Sequence, residues 1–214
     1  MKYLKFLSVV SLMGFCHARA QETLEPGVER WAVKTSVVAG SPAKTASISK
    51  LLSLPNPITS VKDAPEDKRI PKTVNGLKEG DMVTTTCWLH LVALEDDSKT
   101  HRDGDYHIQV RNSPVWGDTC LIVEIPDSDF ISDPALRKKC AQARLFVLSK
   151  LLKNKEAGTA GNKMQHEVFV KITGQLFFDA THLKGRPRGK RQMHSYTCWE
   201  LHPVTAISFA PKPG

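Results

Sequence analysis

Five residues able to bind a cation or move a proton fall at even spacing on strand-like stretches. Glu200 and His202 stand two apart in SYTCWELHPVTAISF, residues 195–209. Side chains alternate between faces along a strand, so these two share a face while Trp199, Leu201 and Ile207 take the other. Asp105 and His107 share a face in the same way, and Glu124 is the one charge in TCLIVEIP. In a small barrel of the OB type the third strand neighbours both the second and the fifth, so these side chains converge. Imidazole and carboxylate together suit a divalent metal or a general acid/base pair. The catalytic candidates are Asp105, His107, Glu124, Glu200 and His202. The metal candidates are His107, Glu124, Asp179, His182, Glu200 and His202. Two plainer readings stand beside these: the wet outer face of a sheet, or a buried Glu–His hydrogen bond that fixes strand register.

A second chemistry lies in LKGRPRGKR, residues 183–191, where five of nine residues are basic: Lys184, Arg186, Arg188, Lys190 and Arg191. His182 and His194 flank them. A loop between the last two strands of an OB barrel commonly contacts oligonucleotides or sugars. Phosphate binding there would depend steeply on salt. Trp116, Tyr106 and Tyr196 are available for base stacking, although aromatic residues make up only 7% of the chain. The plain reading is a solvated loop.

The elements that must position these groups follow from pattern. DMVTTTCWLHLVALED is rich in β-branched and apolar residues and reads as a long first strand. YHIQV alternates, with Tyr106, Ile108 and Val110 opposite His107 and Gln109. TCLIVEIP is a third strand, stopped by Pro126. Asp133 and Pro134 then open a helix as N-cap and first residue, and Leu136, Cys140, Ala143, Val147 and Leu151 form its apolar stripe. HEVFVKITGQLFF is a fourth strand in which Gly174 marks a bulge or sharp bend. Three strands, a helix and two strands is the OB-fold order: a mainly β, five-stranded Greek-key barrel, here with an irregular N-terminal extension. An α+β sheet with one covering helix would use the same elements.

Upstream, ERWAVKTSV reads as a short strand or extended arm, and SISKLLSLP as a helical turn ended by Pro55. Prolines and glycines punctuate the stretch from Pro55 to Gly80, which excludes long regular elements. Lys2, Lys5, the apolar run FLSVVSLMGF and the small-x-small ARA at 18–20 fit a cleaved signal peptide. The expected division is thus 1–20 signal peptide, 21–80 arm and 81–210 barrel. The protein is expected to be exported, to the periplasm or beyond, with no transmembrane segment. Cleavage would remove three cations and lower the formal charge from +8 to +5, a mildly basic balance that permits polyanion contact without requiring it. Cys87, Cys120, Cys140 and Cys198 remain. Their even number allows two disulfides, apolar neighbours suit buried thiols equally, and the lack of C-x-x-C argues against structural zinc.

Several of these stretches resemble a family of small exported bacterial proteins without an established activity. The resemblance is carried by Glu29 to Thr35, Asp105 to Val110, Val123 to Ser128, Ala143 and Arg144. It continues through Gly174, Phe177, Phe178, Asp179 and His182, and ends on Glu200 to Val204. It implies one compact unit that includes the arm. DGDYH and VEIPD are also similar, in part, to thermonuclease-type OB enzymes, which would give Asp103, Asp105, Glu124 and Asp127 a calcium-binding role. The leading expectation is a non-catalytic OB-like module that contacts a polyanion such as nucleic acid through Lys184, Arg186, Arg188, Lys190 and Arg191. The alternatives are a metal-dependent, nuclease-like hydrolase built on the strand set, and a structural protein with no small-molecule site. No cofactor is expected beyond a candidate divalent metal.

Overall fold

A computed structural model describes residues 30–95, 104–185 and 187–214. The segment expected to be a signal peptide, Asp103 and Arg186 lie outside the described residues. Three short elements precede the barrel: α1 (Trp31–Lys34), β1 (Lys44–Thr45) and α2 (Ile48–Leu52). The stretch read as a strand or extended arm is therefore one helical turn. Arg30, in left-handed conformation, starts it, and Thr35 caps it by bonding back to Trp31 O. α2 is the turn expected from SISKLLSLP, capped by Ser47 and burying Ile48 and Leu51. From Pro55 to Gly80 the chain holds a single 3-10 turn, Val61–Asp63, as its prolines require.

The barrel strands are β2 (Met82–Leu94), β3 (Tyr106–Arg111), β4 (Leu121–Ile125), β5 (Asn162–Phe178) and β6 (Trp199–Phe209). Neighbours run β2-β3-β4-β6-β5, and β5 pairs back onto β2 to close the ring. β4 and β6 are parallel and the other barrel pairs antiparallel. This is OB-fold topology, with β1 added in parallel at the start of β2. Closure leaves no open barrel edge.

Between β4 and β5 lies α3 (Pro134–Phe146), whose N-cap Asp133 accepts from Leu136 N at 2.6 Å. It continues into one π-helical turn, Val147–Leu151. Leu136, Cys140, Ala143 and Val147 are buried, as the stripe predicts. The register of β5 on β6 shifts on both sides of Gly174. A Cβ there would sit 3.1 Å from Pro203 O and from Leu201 Cβ, so the close crossing at this bulge needs glycine. Tyr106, Ile108, Val110, Leu121, Val123, Trp199 and Leu201 fill the interior. The alternation then sends Asp105, His107, Gln109, Glu124, Glu200 and His202 to the outer face of β3-β4-β6.

Candidate cation site on a covered barrel face

The outer face is not wet. Asp105, His107, Gln109, Glu124, Glu200 and His202 are each buried, with Glu200 at 0% exposure and Glu124, the most open, at 7%. The solvent-face reading is overturned, because two distant segments lie over these strands. From one side comes the arm, whose Lys34 is itself buried and whose carbonyl reaches His202. From the other comes the basic loop. Lys190 N donates to Gln109 Oε1 at 2.6 Å, Gln109 Nε2 returns a bond to Met193 O at 3.1 Å, and Met193 is fully buried. Beyond it, Cys120 N donates to His194 O at 2.8 Å.

Strand register brings the polar side chains together. His107 sits directly across from Glu124, and its Nδ1 donates to Glu124 Oε1 at 3.0 Å. Ile122 pairs with Glu200 in the parallel ladder, and one step further Glu124 Oε2 comes within 3.7 Å of His202 Nε2. Asp105 Oδ2 lies 2.8 Å from the same nitrogen. Glu95, half-buried at the end of β2, also reaches His107 Nδ1 at 3.1 Å. Two sets of three donor atoms lie within 4.8 Å of one another: Asp105, Glu124 and His202, and Glu95, His107 and Glu124. The first set is wholly buried. The second is partly served already, since Lys190 Nζ stands 3.3 Å from Glu95.

Asp179, Glu200 and His182 form a second centre around a residue expected to face solvent. Arg188 Nη1 donates to Asp179 Oδ2 at 2.5 Å and to Glu200 Oε2 at 2.6 Å, and His182 Nδ1 donates to Asp179 Oδ2 at 2.7 Å. Of the five residues assigned to polyanion contact, Arg188 and Lys190 are thus committed to acids of the barrel face. Lys184 and Arg191 are exposed, with Arg191 Nε bonded to Ala160 O. Tyr106, a stacking candidate, is instead in the core, donating to Glu156 at 2.5 Å. Tyr196 is exposed, and Trp116 carries Lys163 Nζ over its ring at 3.8 Å. Of the nuclease-like acids, Asp127 caps the 3-10 turn Ser128–Phe130, and Asp105 Oδ1 accepts from Asp127 N. Asp127 therefore has a local structural job and stands apart from the cluster.

Electrostatics separates the carboxylates. Burial alone would raise Glu124, but the His107 hydrogen bond, Lys34 and the two imidazoles outweigh it and hold the carboxyl well below the usual range. Asp179 is likewise held low against its burial by the His182 bond and the Arg188 charge. Glu200 goes the other way. Burial, then repulsion from Glu124, outweigh Arg188 and push it up to about 7. His202 is raised: the Asp105 hydrogen bond and charge overcome the burial that would lower it. Three buried side chains near this face keep four atoms without a partner among the described residues: His107 Nε2, Glu200 Oε1, and Arg188 Nε and Nη2.

Lys34, Glu95 and the inward role of Arg188 escape a reading of local pattern. One signal was available. Four carboxylates on one buried face need cations nearby, and the adjacent loop is rich in them. The stretches around Arg30 to Lys34, Asp105 to Gln109, Glu124, Asp179 to His182 and Glu200 to His202 all meet here. No known protein family, curated protein or solved structure matches the chain, so the chemistry of this face is what bears on function.

Proposed function

We propose that this protein is a divalent-cation-binding OB-fold module, with the ion held by Asp105, Glu124 and His202 beneath the arm and the basic loop. One observation carries the reading. His202 Nδ1 lies 3.0 Å from Lys34 O, a carbonyl that can only accept, so Nδ1 carries a proton. Its Nε2 faces the carboxylates of Asp105 and Glu124, which are acceptors as well. Positive charge must therefore stand at Nε2, either a second proton or a metal. Metal-ligating histidines commonly donate their other ring N–H to a backbone carbonyl or carboxylate. The donor spacings of 2.8 and 3.7 Å about Nε2 bracket the ~3.3 Å edge of a tetrahedron with bonds of about 2.0–2.1 Å. Nitrogen and oxygen donors without thiolate suit Zn²⁺ or Mn²⁺.

Three ligands leave a fourth position open, as in catalytic zinc sites, but every one of them is buried beneath the arm and the loop. This favours an ion that ties the arm to β3, β4 and β6 over the hydrolase reading. Polyanion contact takes second place, since Lys184 and Arg191 alone among the described loop cations face outward. The test is calorimetry of chelator-treated protein with Zn²⁺, Mn²⁺ and Ca²⁺ in buffers of differing ionisation enthalpy. The expected result is one equivalent bound, with release of the His202 Nε2 proton and loss of binding in Asp105→Asn and His202→Gln. At a free concentration one hundred times Kd, the ion should add about 2.7 kcal/mol of stability. Absence of heat, of proton release and of any Tm rise with all three ions would sink the proposal.

A further inference from the structure

Arg188 uses only part of its guanidinium on the barrel acids. Nη1 makes both contacts, to Asp179 and to Glu200, while Nε and Nη2 are buried and without a partner. Those two N–H groups form the side edge of the planar group. They point in parallel, the geometry that receives two oxygens of one carboxylate or phosphate. A buried donor left unmade is costly, and in native proteins such a group usually marks a water or an ion.

The same arginine lines a cleft of about 120 Å³ together with Asn56, His182, Ser195, Tyr196 and Thr197. That is the space of about four waters at roughly 30 Å³ each, room for a phosphate or carboxylate group. The walls suit an anion. His182 is raised by its hydrogen bond to Asp179, which favours the imidazolium. Ser195, Tyr196 and Thr197 belong to the same lining. The exposed Lys184 follows two residues after His182.

We propose that this cleft binds a small oxyanion, a phosphate or carboxylate group, which draws the buried Nε/Nη2 edge of Arg188 into contact, with His182 as the second cation. The site shares no ligand with Asp105, Glu124 and His202, and it stands whether or not a metal binds there.

The test follows the Arg188 Nε–H signal by NMR in metal-free protein, so that phosphate held by an ion is not mistaken for phosphate held by the arginine. Inorganic phosphate and acetate are titrated separately at constant ionic strength, with chloride as control. A saturable shift of this signal is expected with phosphate or acetate, and the stronger of the two identifies the tetrahedral or planar preference. Arg188→Lys keeps the charge but loses the fork, and should weaken binding about tenfold or more, the equivalent of about 1.4 kcal/mol. His182→Gln should weaken it several-fold. An Arg188 signal unmoved by both anions, or moved as much by chloride, overturns the proposal. So does equal binding by the lysine variant. Should that variant not fold, the wild-type signal and His182→Gln decide.

Discussion

Arg30→Met should unfasten the arm from the barrel at a cost that can be worked from the contacts. Arg30 is 2% exposed. Its Nε donates to Pro65 O at 2.9 Å. Nη1 donates to Glu79 Oε1 at 2.7 Å and Phe178 O at 2.9 Å. Nη2 donates to Glu79 Oε2 at 2.7 Å and Lys68 O at 2.9 Å. All five N–H groups are used. Glu79 in turn accepts from Phe178 N and Ile70 N, so one buried pair joins α1, the proline-rich stretch and the end of β5. Methionine fills similar space but leaves the Glu79 carboxylate buried with only two backbone donors. Removing one partner of such a pair costs about 3–5 kcal/mol. Arg30→Met with Glu79→Leu should recover only part of this, because Phe178 N and Ile70 N would then be orphaned at about 1–3 kcal/mol each. Urea unfolding followed by tryptophan fluorescence measures both values and their coupling. The single variant should also bind the proposed cation more weakly, since Lys34, whose carbonyl orients His202, lies one turn beyond Arg30. A destabilisation under about 1 kcal/mol would mean that the arm is not held in solution by this pair.

Two further outcomes follow from the titrating groups. Glu200 is raised from 4.5 to about 7 and His202 is raised from 6.5, so the folded state holds protons that the unfolded chain releases. Their contributions are complete below the unfolded values and are lost as pH climbs through the folded ones. Glu124 and Asp179 are lowered, so theirs are present above the ordinary carboxylate range and lost as pH falls toward the folded values. Metal-free protein should therefore be most stable near pH ~4.5–5 and weaken toward pH ~8, with a flatter alkaline limb in Glu200→Gln. Denaturation curves that steepen in stability across that range would contradict it. Cys87, Cys120, Cys140 and Cys198 are free buried thiols, with burial pushing Cys198 up to about 11 and Cys140 up to about 12. Intact mass should show all four reduced, and thiol reagents should react only on unfolding; a mass deficit matching a disulfide would be the opposite result.

The parts of this molecule legible in sequence are those set by local period and local caps. Tyr106, Ile108 and Val110 against His107 and Gln109 gave the inside and outside of β3. Asp133 and Pro134 gave the start of α3, and Gly174 the bulge in β5. The element order then narrowed the topology to a small barrel, because three strands, a helix and two strands close in few ways. Burial of the outer face was not legible in the same sense. It depends on residues 30–80 and 183–198, segments without period whose docking is decided by contacts up to 168 positions apart, as between Lys34 and His202. Arg188 is the sharpest case. Within LKGRPRGKR it is one basic residue among five, and nothing local tells it from Lys184. Only the closed barrel places Asp179 and Glu200 beside it.

That burial also bears on the bracing reading of the strand set. A register-fixing network needs one satisfied pair, and the Glu124–His107 pairing across β3 and β4 would serve. This face instead buries Asp105, Glu124, Asp179 and Glu200 with Lys34, Arg188, His107 and His202. Taking so many charges out of water costs about as much as their attractions return, and apolar residues of similar volume would be as stable. The network is also incomplete, with His107 Nε2, Glu200 Oε1 and the side edge of Arg188 unmet. A brace gains nothing from unmet buried atoms, and each lowers its stability. A binding face does gain from such atoms, and the side edge of Arg188 is the one that the proposed anion would recruit.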